Sequence, residues 1–173
     1  MKRNKMKYFM GIDNGLNGGI VVLDENQNIV KKYIIPIIKI GNKNEFDIQK
    51  INKIFKDIDA KCEAEENIVY TCLEHAHVRP ISGKRACFTT GFCFGLMQGI
   101  LEALNISYEI VNPKIWQKEI FQGSVSDTKQ ASIVFCQRKW TNEKWSATER
   151  SKKAHDGMTD AACMALYCYR QNR

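Results

Sequence analysis

Four carboxylates stand out by where they fall in the chain. Asp13 closes the apolar run Tyr8-Phe9-Met10-Gly11-Ile12, and Glu74 closes Val69-Tyr70-Thr71-Cys72-Leu73. A charge that ends a buried strand sits at a sheet rim and needs a partner. Asp156 and Asp160 are four apart at the start of the last apolar segment, a spacing that places both on one helical face. Left unneutralised, four such groups repel and raise one another's pKa. Divalent cations relieve the repulsion, and hard oxygen donors suit Mg²⁺ or Mn²⁺. Two such ions about 3.5–4 Å apart activate a water and stabilise the leaving oxygen in phosphodiester cleavage. Each acid also has a plainer reading. Asp13-Asn14-Gly15 makes an ordinary turn, and Asp156 suits a helix N-terminus. The catalytic reading gains because one sheet can bring all four together in this order.

Positive charge is unevenly spread. Met1–Lys7 holds four Lys or Arg and no acid, and Pro113–His155 holds nine against four acids, with Trp116, Trp140 and Trp145 interleaved. Basic residues among aromatics suit a nucleic-acid groove, where cations meet phosphate and rings stack on bases. The alternative is a solvated face over core tryptophans. Arg79, Lys84 and Arg85 follow Glu74 closely and add to the groove reading.

Two glycine sets need an account. Gly11, Gly15, Gly18 and Gly19 fit neither GxGxxG nor the P-loop, so they read as a hairpin turn that also lets backbone approach a ligand. Gly91, Gly95 and Gly99 recur every four residues and make a smooth groove along a helix. That groove serves either tight packing on the sheet or on a sister helix, or a dimer contact.

The elements that must position these residues follow from periodicity. Strands are expected at 8–12, 20–23, 29–35, 68–73 and 108–111, with a turn at 24–28 and a loop at 75–84. Helices are expected at 46–58, 88–104, 115–121, 128–139 (N-capped by Ser126 or Asp127) and 157–169. Three hairpin strands followed by alternating strands and helices predict an α/β fold: a mixed five-stranded sheet flanked by helices.

At 173 residues the chain fits a single domain over 1–173 and supports a real core. Its net charge of +7 favours an anionic partner. No apolar run approaches the roughly 20 residues of a membrane span. Seven cysteines, none in CxxC, read as buried reduced thiols of a cytoplasmic protein.

Taken together, the motifs resemble a known family. Gly11-Ile-Asp13-Asn-Gly-Leu-Asn-Gly-Gly19 resembles the first-strand motif of the RuvC-type Holliday junction resolvases. Leu73-Glu74-His-Ala-His77, the glycines 91, 95 and 99, and Ile110-Val-Asn-Pro-Lys-Ile-Trp116-Gln-Lys118 resemble the phage branch of that family. His155-Asp156-Gly-Met-Thr-Asp160-Ala-Ala is similar to its closing motif, although the closing acids lie four positions apart where three is usual. The likeness runs from about Tyr8 to Tyr169 but leaves 141–153 without a match.

The resemblance implies an RNase H-like fold and a homodimeric, Mg²⁺-dependent endonuclease that nicks four-way DNA junctions in pairs, in the cytoplasm of a bacterial host if phage-encoded. It makes Asp13, Glu74, Asp156 and Asp160 the metal-binding acids, with His155 as an alternative ligand. It places Lys118 and Lys129 near the scissile strand, and His77 where relatives carry an aromatic that opens the junction centre. The rival readings are another RNase H-like nuclease, acting on flaps or RNA–DNA hybrids, and a junction-binding module without activity. An actin-like ATPase is a distant third, because its second phosphate-binding turn has no counterpart here.

Overall fold

Alternation along the first strand sets up two cores. In the computed structural model, which describes residues 5–63, 67–78, 80–122 and 126–173, β1 spans Lys7–Asp13. Phe9 faces one side of the sheet and Tyr8, Met10 and Ile12 face the other, as a period of two requires. Gly11 and Asp13 share the face of Phe9. Around β1 lie β2 (Gly19–Leu23), β3 (Ile29–Ile34), β6 (Ile68–Glu74) and β7 (Tyr108–Val111), in the order β3-β2-β1-β6-β7. The first three are antiparallel neighbours, while β6 runs parallel to β1 and β7 parallel to β6. This is the expected mixed five-stranded sheet.

Helices α1 (Ile48–Glu63) and α2 (Lys84–Ala103) cover one face through Ile51, Phe55, Cys93 and Met97. Helices α3 (Pro113–Phe121), α4 (Thr128–Lys139) and α5 (Asp156–Asn172) cover the other. Of these, α5 lies directly on the sheet, against β1, β2 and β6, and is buried on nearly every side from Gly157 to Cys168. Its small residues permit this. A Cβ on Gly11 would stand 2.1 Å from the Ala161 carbonyl oxygen, and one on Gly157 2.0 Å from that of Asn17. Gly18 and Gly157 form an isolated bridge that clamps the start of α5 to the β1–β2 turn.

The structure departs from the sequence expectation in three places. A separate hairpin, β4 (Ile37–Ile40) with β5 (Lys43–Phe46), occupies the stretch before α1. Ile37, Ile38 and Ile40 are all exposed, so no buried alternation announces it. Helix α1 begins at Ile48, after Asp47 caps the Lys50 amide at 3.1 Å. Helix α2 starts at Lys84, so Lys84 and Arg85 lie on its first turn and not in the preceding loop. Cys72, Cys93, Cys136, Cys163 and Cys168 are buried free thiols, and Cys87 is half-buried.

Candidate active site

The β1–β6 register carries Ile12 beside Leu73, so the next residues, Asp13 and Glu74, end neighbouring parallel strands. Both follow the alternation onto the face covered by α5, where Cys72 and Phe9 also point. The glycine clamp brings Asp156 and Asp160 to the same rim. Each of the four acids is half-buried.

Burial dominates their electrostatics, with the neighbouring acids adding to it at Asp13, Glu74 and Asp160. Burial, the Glu74 charge, and then Asp160 and Asp156 raise Asp13 well above the usual carboxylate range, against a hydrogen bond from the Gly15 amide at 3.1 Å. Burial lifts Glu74 to about 7, with Asp160 adding to the rise and the Trp116 indole opposing it. Burial likewise lifts Asp160 to about 6, opposed by the Ser132 hydroxyl and Lys129. Asp156 goes the other way. Burial pushes it up, but Lys129, the Gly157 amide and His155 outweigh that and hold it low.

Several supports were not assigned from the sequence. Trp116 Nε1 donates to Glu74 Oε1 at 3.1 Å, and Asn14 Nδ2 donates to the Glu74 carbonyl at 2.7 Å. Asn17 Nδ2 donates to Asp156 Oδ1 at 2.6 Å, while Lys129 Nζ reaches Asp156 Oδ2 at 2.7 Å. Asn14 and Asn17 were visible only as turn residues, and nothing in the sequence says which acid each one holds.

Do these acids fit a divalent cation? Among the described residues no three His, Cys, Asp or Glu side chains are drawn tightly enough to cage an ion as they stand. Carboxylates with nothing between them repel, and Lys129 already neutralises one. The donor chemistry does fit: all four side chains offer hard oxygens. Asp160 Oδ1 is sealed from solvent with no hydrogen-bond partner, an orphaned acceptor that a cation would satisfy.

His155 is otherwise employed. It caps α5, with Nδ1 accepting from the Met158 amide at 3.2 Å, and burial lowers its pKa despite Asp156. A neutral imidazole that accepts at Nδ1 carries its proton on Nε2, which leaves no lone pair for a cation. In this structure His155 therefore serves as the cap of α5.

The basic-aromatic groove read from 113–155 is not what the tryptophans form. Trp116, Trp140 and Trp145 are all buried in the core. Trp140 Nε1 donates to the Gln27 carbonyl at 2.8 Å, and Lys32 pairs with Glu143 and lies over the Trp145 ring. The 141–155 stretch is thus pinned to the β2–β3 hairpin. Alternating charge and aromatics cannot tell a stacking platform from a core edge. Of the turn glycines, Gly11, Gly18 and Gly19 admit the backbone of α5 or of their own turn.

Other sequence candidates are spread around the rim. His77 is exposed after β6, its ring 4.6 Å from that of His75. Lys84, Arg85 and Lys118 are exposed. Arg85 lines a depression of about 540 Å³ with Asn14, Gly15 and Thr89, beside the turn that follows Asp13. Arg79 lies outside the described residues.

No protein-family model matches the chain, and no curated protein does. Solved structures do. RuvC of Thermus thermophilus in complex with a Holliday junction substrate is 9% identical at a TM-score of 0.57, covering 95% of both chains. A second Thermus thermophilus RuvC structure is 14% identical at 0.56, again covering 95% of both. The chain has the RuvC-type, RNase H-like fold. Among the described residues no helix is long and apolar enough to cross a membrane.

Proposed function

We propose that this chain is a metal-dependent endonuclease that resolves four-way DNA junctions. The observation that carries the reading is the placement of Asp13, Glu74, Asp156 and Asp160 at one sheet rim, where burial first and neighbouring acids second raise Asp13, Glu74 and Asp160 while Lys129 holds Asp156 low. Perturbed carboxyls gathered in an open site are a signature of chemistry rather than of packing. The RuvC-type fold and the net charge of +7 point the same way.

Asp13, Glu74, Asp156 and Asp160 would hold Mg²⁺ or Mn²⁺, two ions per site. When bound, such ions supply an activated water and charge stabilisation for the leaving 3′-oxygen. The chain's own residues do the rest. Trp116 and Asn14 fix Glu74 from both side chain and main chain, so its carboxylate keeps one orientation. Lys129 is largely exposed and free to swing from Asp156 to a phosphate oxygen as DNA arrives. Arg85 and Lys118 contact the backbone on either side, and the exposed His75–His77 pair meets the bases at the branch.

We further infer a homodimer working in the cytoplasm, a single nuclease domain per chain, and a place in the phage branch of the family. The dimer follows from the chemistry: one site cuts one strand, and paired nicks need two sites. Asp13→Asn tests the reading. Cleavage should vanish while junction binding persists or tightens, since less negative charge opposes the phosphates. Retained cleavage would overturn it. Turnover on a flap and on an RNA–DNA hybrid separates a junction resolvase from other RNase H-like nucleases.

A further inference from the structure

Helix α4 carries two apolar faces, and its place in the fold accounts for one. Three contacts lay it parallel to α5: Lys129 with Asp156, Ser132 with Thr159 and Cys136 with Cys163, each pair 27 residues apart. Ser132 and Cys136 are the buried side of that pairing. A second stripe, Ala131, Val134, Phe135 and Arg138, repeats at the spacing of one helix face. It looks across to Phe121 at the end of α3, and the two walls enclose an open groove of about 620 Å³. Among the described residues, Ala131 and Val134 join neither core cluster.

The floor of the groove is aromatic. Phe121 and Phe135 are half-buried and meet edge to face, centroids 6.4 Å apart, and Phe135 meets Trp140 the same way at 6.5 Å. Its rim is cationic. Arg138, Lys139 and Arg170 border it, and among the described residues no Asp or Glu lines it. Lys139 donates to Gln27 Oε1 at 2.7 Å and lies over the Trp140 ring. Burial, then the Arg170 charge, lowers its pKa, so two of the cations share one field. Arg170 donates to the Glu119 carbonyl at 3.3 Å but stands 3.8 Å from its carboxylate, whose other oxygen accepts from Gln171 at 2.7 Å. Like charges held around an apolar floor favour an anionic occupant.

The groove is remote from the acids. Arg138 lies nine residues beyond Lys129 on α4, and Arg170 ten beyond Asp160 on α5, about 13–15 Å along each helix. Because the helices are parallel, both lead to the same far end. An occupant there leaves the rim of Asp13 and Glu74 open. Duplex DNA matches the cations but not the floor, since its bases are stacked behind a polar backbone. A polypeptide matches both, with an apolar anchor in a pocket and charged neighbours at the rim.

We propose that the α3–α4 groove docks an acidic peptide segment of another protein. One or two large apolar side chains sit on Phe121 and Phe135, and flanking carboxylates pair with Arg138, Lys139 and Arg170. The inference goes beyond the proposed function, and its test needs no cleavage. A chain that never cuts DNA but docks the peptide leaves it standing.

Fluorescence anisotropy tests it with a labelled synthetic peptide that sets a Phe-Leu pair among glutamates. The wild-type chain should bind it with a Kd of roughly 100 µM or tighter, more weakly as salt rises. Peptides with lysines for the glutamates, or alanines for the Phe-Leu pair, should bind roughly tenfold more weakly or worse. Arg138→Glu changes an exposed side chain, and Ala131→Trp fills the groove. Each should raise the Kd roughly tenfold while circular dichroism shows an unchanged fold. No binding of the acidic peptide, equal binding of the alanine peptide, or indifference to both variants would overturn the inference. So would an Arg138→Glu chain that loses junction affinity while the peptide fails to compete with DNA, which would give the groove to nucleic acid.

Discussion

Lys129 on α4 reaches 2.7 Å from Asp156 on α5, so a cation of the protein's own already sits on one edge of the acidic group. The ion pair is mostly solvent-exposed on the lysine side and is therefore cheap to break. On the proposed function, Lys129 would be a placeholder that yields to a metal ion or moves onto phosphate.

Its removal separates the two roles. Lys129→Ala should tighten Mg²⁺ binding, read by calorimetry, by roughly two- to fivefold, the size of an exposed pair. The same variant should bind DNA more weakly and with a shallower salt dependence. Unchanged metal affinity would show that Lys129 does not share the acids' field.

Trp116 gives the second prediction. Its indole N–H is the hydrogen bond that opposes the rise of the Glu74 pKa. Trp116→Phe keeps an aromatic side chain but removes the donor and shrinks a fully buried ring system, which should cost about 1–3 kcal/mol for the donor plus a cavity cost in chemical denaturation. It should also shift the acid limb of the activity profile to higher pH, because Glu74 then ionises later.

The third prediction concerns pH and stability without metal. Glu74 stands at about 7 and Asp160 at about 6, both above their ordinary values. Between those ordinary values and pH about 7 the folded chain holds protons that the unfolded chain has lost. Stability contributed by these groups is therefore full at low pH and is lost as pH rises through the folded values. The melting temperature of the metal-free protein should fall over that window, and Glu74→Gln should flatten the fall. Mg²⁺ should stabilise more at pH about 8 than at about 5. A variant whose profile matches wild type would contradict the assignment.

The fourth prediction addresses how α5 delivers its acids. Gly11→Ala would drive a methyl to 2.1 Å from the Ala161 carbonyl oxygen, where only backbone can give way. The variant should lose about 3 kcal/mol or more, and any folded fraction should be inactive because Asp156 and Asp160 move off the rim. Gly95→Ala, with open space at its Cβ, should be as stable as wild type or more so.

Much of this site is legible in the sequence because strand burial is. An apolar run that ends in an acid fixes Asp13 and Glu74 at a rim, and a four-residue spacing fixes Asp156 and Asp160 to one face. What brings α5 onto β1 is not legible, since Gly11 and Gly157 look like any turn or helix-start glycine until their neighbours are known. The tryptophans misled for a related reason. Trp116 and Trp140 spend their polar edge on Glu74 and Gln27, partners 42 and 113 residues away in sequence. The β4–β5 hairpin carries exposed isoleucines, so the signal that finds strands, one buried face, is missing there. His155 reads from the sequence only as an alternative ligand, and its service as the cap of α5, through the Met158 amide, becomes visible only in the structure.

On the proposed function the acidic group cuts branched DNA with a metal ion. The most direct measurement is cleavage of a labelled four-way junction with Mg²⁺ and with EDTA, beside a linear duplex of the same sequence. Paired nicks near the branch, only with Mg²⁺ and only on the junction, are the expected result. Cutting that persists in EDTA, or that is equal on both DNAs, would contradict it, and so would junction binding with no product.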